Sequence, residues 1–442
     1  MTTTSITPVP ALTKPRKAHK LAVADTVLDN GLRVVVVRKP GVPIVELRLR
    51  LPALSAKPSR PAQASLLGET ILTGAGGLDR VGLAGTVQGL GGDLSVSVDA
   101  DRLMLGGNVL ATEFAQLLAL ISTVLTEATY PAAEVATERE RMVEHLTMAR
   151  SRPGTVASEA LGHRMWGEHP YALDLPLPDA VAATTAAQLR KLHADIVRPD
   201  AGVLVIVGNV TPARVLDQLA RAFAGWTGRA GAGRVPALPT PPSGPLLIID
   251  RPGSVQTSIR MGGVAVPRSD ERYPALQLAN LAFGGYFSSR WTENIREDKG
   301  YTYGPHSRID HHALGSTLMF DVEVATEVTG PAMLETRYEL GKIASLPVTE
   351  AEVDNVRQYA IGTLALSTAT QSGLASTLSA LSAFGLGLDW ILDHPQRLST
   401  VGVDEVSAAA AEFFAPSRLT GVVVGDAAAI ADPLALLGPI EQ

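Results

Sequence analysis

Two widely separated segments of this chain spell the same local plan, and that internal repeat limits the folds open to it. Residues 198–226, RPDAGVLVIVGNVTPARVLDQLARAFAGW, read as a strand, a turn at Gly208-Asn209 and an amphipathic helix. Residues 415–438, APSRLTGVVVGDAAAIADPLALLG, repeat the strand, turn at Gly425-Asp426 and add a shorter helix. The openings of the two halves correspond as well. TVLDNGLRVVVVRKPGVPIVELRLRL (26–51) predicts a hairpin turned at Asn30-Gly31 followed by alternating strands, and PLLIIDRPGSVQTSIRMGGVAV (245–266) repeats the two-strand idea. Between these ends lie long helical patterns, at 60–74, 111–127 and 131–151 in the first half. Strands, helices and strands, twice over, predict an α+β fold of two homologous tandem domains, each an antiparallel or mixed sheet covered by helices.

A stretch dense in glycine and proline, 228–243, reads as the linker, with domains at 22–227 and 244–442. Residues 1–21 hold Lys14, Arg16, Lys17 and Lys20 and no acid, and read as a disordered basic tail. An organelle transit peptide is the alternative for this start, which has no apolar run like that of a secretion signal. A cytoplasmic protein is expected. Cysteine is absent, which excludes disulfides, thiolate nucleophiles and cysteine-ligated zinc. The formal charge of −6 argues against nucleic acid as partner, since phosphate binding needs a basic footprint. Residues 358–388 contain no charged side chain, but their many serines, threonines and glycines are wrong for a lipid-facing span. They predict buried helices of a large core and no membrane partner.

The chain has 8 tyrosines, and RWTENIREDKGYTYG (290–304) sets two of them, Tyr301 and Tyr303, directly behind a charged helix end stopped at Gly300. On pattern alone, Arg296 pairs with Glu293 or Glu297 on a solvated helix face and Tyr303 is a strand aromatic. The histidines suggest no obvious metal site. His311 and His312 are adjacent, and neighbours on a strand point to opposite faces.

Several further segments carry a resemblance: LDNGLRVVVV (28–37), WGEHPYALDL (166–175), LHADIVRPDAGVLVIVGNV (192–210), GGYFSSRWTENIREDKGYTYG (284–304) and LTGVVVGD (419–426). In their order and spacing the chain resembles the pitrilysin/insulinase family of zinc peptidases, specifically the short two-domain members that work as paired subunits in a clamshell assembly. In that family the second domain contributes an arginine and a tyrosine seven residues apart, matched here by Arg296 and Tyr303. An arginine fork can hold main-chain carbonyls of an extended peptide. A tyrosine hydroxyl can donate to the scissile carbonyl as it becomes an oxyanion. On this reading Tyr303 sits on the strand after Gly300 and faces back toward Arg296.

The resemblance also implies a His-x-x-Glu-His metal motif in the first domain, with a glutamate downstream as third ligand. Laid on that pattern, QASLLGETILTGAGG (63–77) puts Leu66 and Thr70 at the histidine positions and keeps Glu69 at that of the general base. Glu138 matches the third ligand better than Glu140 does. Leucine cannot ligate zinc and a threonine hydroxyl is a poor ligand, so no catalytic zinc is expected in this chain. The resemblance then implies a non-catalytic subunit that lends Arg296 and Tyr303 to a homologous zinc-bearing partner acting on an unfolded peptide. A scaffold protein of the same family is the alternative, and an autonomous peptidase with altered ligands a third.

Overall fold

The computed structural model describes residues 21–229 and 235–442. The basic start of the chain, up to residue 20, and residues 230–234 of the linker lie outside them. The repeat seen in the sequence becomes two six-stranded sheets with one shared topology. In the first, the order is Ala22–Val27, Arg33–Arg38, Val203–Gly208, Ile44–Pro52, Arg102–Leu110 and Asp93–Val98. Arg33–Arg38 and Val203–Gly208 run parallel, and the other neighbours are antiparallel. The second sheet repeats this arrangement. Leu246–Asp250 runs parallel to Thr420–Gly425, and Gln256–Ala265, Gly315–Ala325 and His306–His312 follow in antiparallel order. Only the outer strand beside the parallel pair differs. Ala22–Val27 supplies it from ahead of the first repeat, and Ile440–Glu441 from behind the second.

The hairpin at Asn30-Gly31 forms because glycine tolerates its positive φ of 91°. The amide of Asn30 also donates to the carbonyls of Phe223 and Trp226, at 3.2 and 3.1 Å, and so ties the turn to the end of the Pro212–Ala222 helix.

The valine runs explain the layering. A strand covered on one face alternates apolar with polar, whereas RVVVVR and TGVVVG are apolar at successive positions and need cover on both sides. Val34 and Val36 face helices of their own half, but Val35 and Val37 pack against Leu374, Leu378 and Leu381 of the second half. Reciprocally, Val423 faces its own half while Val422 and Val424 meet Leu161 and Met165 of the first. Each half therefore lends a helix to the other: Pro153–Trp166 lies on the second sheet and Gln371–Ser382 on the first.

Polar contacts fix both helices in place. Arg164 donates to the Thr420 hydroxyl at 2.8 Å and to the Pro245 carbonyl at 2.6 Å, and pairs with Glu441 at 2.9 Å. Gln371 donates to the Lys39 carbonyl at 2.8 Å, and Arg48 reaches Ser372 at 3.0 Å. Gly262 lets the first helix approach, since a Cβ there would lie 2.7 Å from the Met165 sulfur.

The uncharged run is thus divided in its fate. Its second part, Gln371–Ser382, buries Leu374, Ala375, Leu378 and Leu381 as expected of a core helix. Its first part is mostly exposed beyond Ala360: Leu366, near the end of the Glu350–Ser367 helix, is 77% exposed, and hydroxyls rather than charges keep that surface polar. Among the described residues no helix is long and apolar enough to cross a membrane.

Candidate functional site

Helix Arg60–Thr70 buries Leu66, Leu67, Gly68 and Thr70 and turns Glu69 outward. Gly68 allows it to press on the edge strand, where an added Cβ would meet Val98 at 2.7 Å. Beside it runs the helix Ala132–Arg150, whose Glu138 is buried and whose Glu140 is exposed. Glu69 and Glu138 are joined through one side chain. Arg141 reaches Glu69 at 2.8 Å and Glu138 at 2.6 Å. A second guanidinium, that of Arg80, also donates to Glu138 and pairs with Glu134 at 3.5 Å. Burial alone would raise the Glu138 carboxyl, but the hydrogen bonds from Arg80 and Arg141 outweigh it and hold the group below its ordinary range.

These residues do not fit a zinc ion. Leu66 offers no lone pair, and the Thr70 hydroxyl donates to the Leu66 carbonyl at 2.6 Å. The two carboxylates already share protein cations. Among the described residues no cluster of three or more His, Cys, Asp or Glu side chains is placed to hold a metal. The adjacent histidines diverge: His311 packs edge-on to Tyr273 and Phe384, whereas His312 lies over Tyr171 and beside Asp101.

The RWTENIRED segment owes its orientation to Trp291 and Ile295, one turn apart and both fully buried. Trp291 stacks on Phe283 with ring centroids 5.3 Å apart and donates to Thr336 at 3.0 Å. Asn294 donates to Glu335 and Glu339 at 3.0 and 2.9 Å. With that face pinned, Arg296 projects outward from the π-helical turn Glu293–Asp298, a geometry that recurs at functional sites. Its guanidinium lies between two aromatic rings, 4.5 Å from the centre of Phe287 and 5.1 Å from that of Tyr303, and pairs with Glu297 at 3.3 Å.

Gly300, at φ 66°, ends this helix. The two tyrosines beyond it then part ways. Tyr301 packs against the core, while Tyr303 is 90% exposed and its hydroxyl bonds to nothing among the described residues. The sequence pattern predicts Tyr303 on a strand, but it stands in the loop before His306–His312. The Thr302 hydroxyl donates to the Glu323 carbonyl at 2.6 Å and accepts from Gly304 N–H at 3.3 Å, which folds the loop. Pro305, with no N–H to give, delays the pairing.

The expected site residues thus fall into two groups, Glu69 with Glu138 and Arg296 with Tyr303. No hydrogen bond, ion pair or ring contact joins the groups among the described residues. Three participants went unnoticed in the sequence. Arg141 stands three residues after Glu138, the spacing of neighbours on a helix face, and that signal was available. Arg80, which opens the helix Arg80–Gly89, and Phe287, in the turn before Arg290, stand at no helical spacing from their partners and left none.

A family model described as the peptidase M16 inactive domain matches residues 183–359. An uncharacterized zinc protease of Mycobacterium tuberculosis is 25% identical over 416 residues, 92% of this chain and 94% of that protein. Another, of Streptomyces coelicolor, is 24% identical over 408 residues, 88% of this chain and 86% of its own length. A solved peptidase M16 inactive domain from Pseudomonas fluorescens superposes with a TM-score of 0.85 at 24% identity, over 92% of this chain and 98% of that one. A protease from Helicobacter pylori gives 0.81 at 17% identity, over 92% and 100%. With two halves of one sheet plan, no His-x-x-Glu-His sequence and these likenesses, the chain is similar to peptidases of the M16 (pitrilysin/insulinase) family and lacks the catalytic motif of that family.

Proposed function

We propose that this chain is the non-catalytic, substrate-gripping subunit of a two-chain zinc peptidase. A homologous partner bearing the His-x-x-Glu-His motif supplies the metal and general base, and this chain supplies Arg296 and Tyr303. The observation that carries the reading is the contrast between the two groups. Glu69 and Glu138 are consumed by ion pairs with Arg141, whereas the Tyr303 hydroxyl is left free beside a guanidinium held ready by two rings. A side chain with no structural work, 90% exposed and stacked on a cation, suits a group that meets its partner elsewhere. Arg296 would hold peptide carbonyls, and the Tyr303 hydroxyl would donate to the oxyanion, a contact of about 3 kcal/mol.

Co-expression with a zinc-motif homologue from the same source tests this. The two chains should co-purify, and peptide cleavage should need both. Arg296→Ala and Tyr303→Phe should each lower kcat/KM tens-fold or more without releasing the partner. A complex whose turnover ignores both substitutions would point to the scaffold role instead, and cleavage by this chain alone, abolished by a chelator, would refute the division of labour.

A further inference from the structure

A cavity of about 390 Å³ opens between the halves, walled by the Asp99–Arg102 turn, the Tyr171–Asp174 segment, Arg268 and the His311-His312 end of the second sheet. Most of its charges are matched. Asp99 pairs with Arg102 at 3.0 Å, and Asp310 with Arg308 at 2.9 Å. Asp101 accepts from Tyr171 and from Ala313 N–H and lies 3.8 Å from His312.

Arg50, only 9% exposed, is different. It makes no hydrogen bond or ion pair among the described residues, and its Nη1 is buried without an acceptor. Burial and the nearby Arg102 work against its charge more than Asp99 and Asp101 support it, yet arginine stays protonated in proteins. Arg268 on the same wall has no carboxylate either; it donates to the Tyr273 hydroxyl at 3.1 Å and lies against the Tyr273 and Trp390 rings. A narrow branch of about 40 Å³ shares Asp99, Leu173 and Asp174 with the cavity and is lined by Arg60, whose Nε and Nη1 are also buried without acceptors. Buried guanidinium nitrogens without acceptors are costly, and those of Arg50 and Arg60 along this space call for an anion.

One opposite charge has no direct partner. Asp174 lines both spaces and makes no ion pair or hydrogen bond among the described residues; burial raises its carboxyl above the ordinary range, and His312 and Arg308 favour its charge from nearby. The remaining wall includes Leu173, Ile309 and Phe384, and His311, pushed down to about 3 by burial, is neutral. Arginines without a carboxylate partner, an aspartate without a direct ion pair and apolar wall in one space match a small zwitterion with side chains. The volume falls within the roughly 300–1,000 Å³ usual for small-molecule sites.

We propose that this cavity binds a short peptide with free ends, its α-carboxylate toward Arg50 and Arg268 and its ammonium toward Asp174. None of Arg296, Tyr303, Glu69 or Glu138 lines it, and the isolated chain suffices for the test, so the outcome is separate from that of the co-expression experiment.

Calorimetric titration of the full chain with Ala-Leu-Ala, its C-terminal amide and inorganic phosphate tests the assignment. The free tripeptide should bind saturably, the amide at least tenfold more weakly, and phosphate should not displace the peptide. Asp174→Asn, a change at an exposed carboxylate, should weaken the tripeptide several-fold, and Arg50→Gln at least tenfold in protein with a wild-type melt. Absence of tripeptide binding, equal binding of the amide, or displacement by phosphate at matching concentration would each overturn it. The peptide comparisons use unaltered protein, so they decide the matter even if Arg50→Gln fails to fold.

Discussion

Thr70 donates its hydroxyl to the carbonyl of Leu66, so the two residues that the resemblance sets at imidazole positions are here joined to each other. Across from them Arg141 lies between Glu69 and Glu138. A fixed guanidinium supplies the positive charge that two converging carboxylates require. Absent ligands are therefore not the sole obstacle to a metal here, because a protein cation occupies the charge balance. Adding imidazoles alone should achieve little. Leu66→His/Thr70→His should bind zinc feebly, and adding Arg141→Ala should tighten it at least tenfold, since like charges a few ångströms apart repel by up to about 4 kcal/mol near a protein surface. Zinc titration of both variants, checked for folding by circular dichroism, measures this. Equal affinity would mean that Arg141 is a bystander.

The helical turn that carries Arg296 is held in place from a neighbouring helix. Glu352 closes a capping box with Thr349 at the start of Glu350–Ser367 and also takes a two-pronged grip from Arg290, at 2.6 and 2.9 Å. The Arg290 hydrogen bond, with help from Thr349, draws the Glu352 carboxyl down to about 2 against the opposing effect of burial. A depressed folded-state value means stability that is present above the unfolded carboxyl value, near 4.5, and lost as pH falls toward 2. Glu352→Gln should therefore cost about 1–2 kcal/mol at neutral pH, solvent screening included, and almost nothing at pH 2. Urea melts across that range would show it, and a penalty independent of pH would contradict the pairing. At this scale much was legible in the chain. The Asn30-Gly31 hairpin, the two strand–turn–helix repeats and helices near 60–74, 111–127 and 131–151 follow from turn chemistry and apolar spacing, and stand at Arg60–Thr70, Phe114–Glu127 and Ala132–Arg150. The loop around Tyr303 was not, because Thr302 settles it by bonding to the distant Glu323. Nor was Arg141 as a bridge, since the pattern gives each helix a face but not the helix opposite.

Helix exchange governs the molecule as a whole. Leu161 and Leu378, both fully buried, each sit in a core made jointly by the two halves. Their spacing marks them as interior without saying which sheet they cover, so only the three-dimensional arrangement reveals the exchange. Leu378→Ala should cost about 2–5 kcal/mol, and should lower a single cooperative melt rather than split it. Residues 22–227 or 244–442 produced alone should be insoluble, and should be rescued when produced together, because each sheet would otherwise expose one apolar face. Independent folding of either piece would show the exchange to be dispensable. If the chain does form a chamber with a second subunit, this mutual clasp also decides where the doorway lies. Neither half can swing away from the other without tearing out a borrowed helix, so a peptide would have to enter along the seam between the two chains, and the rate of admission would track how readily the subunits part.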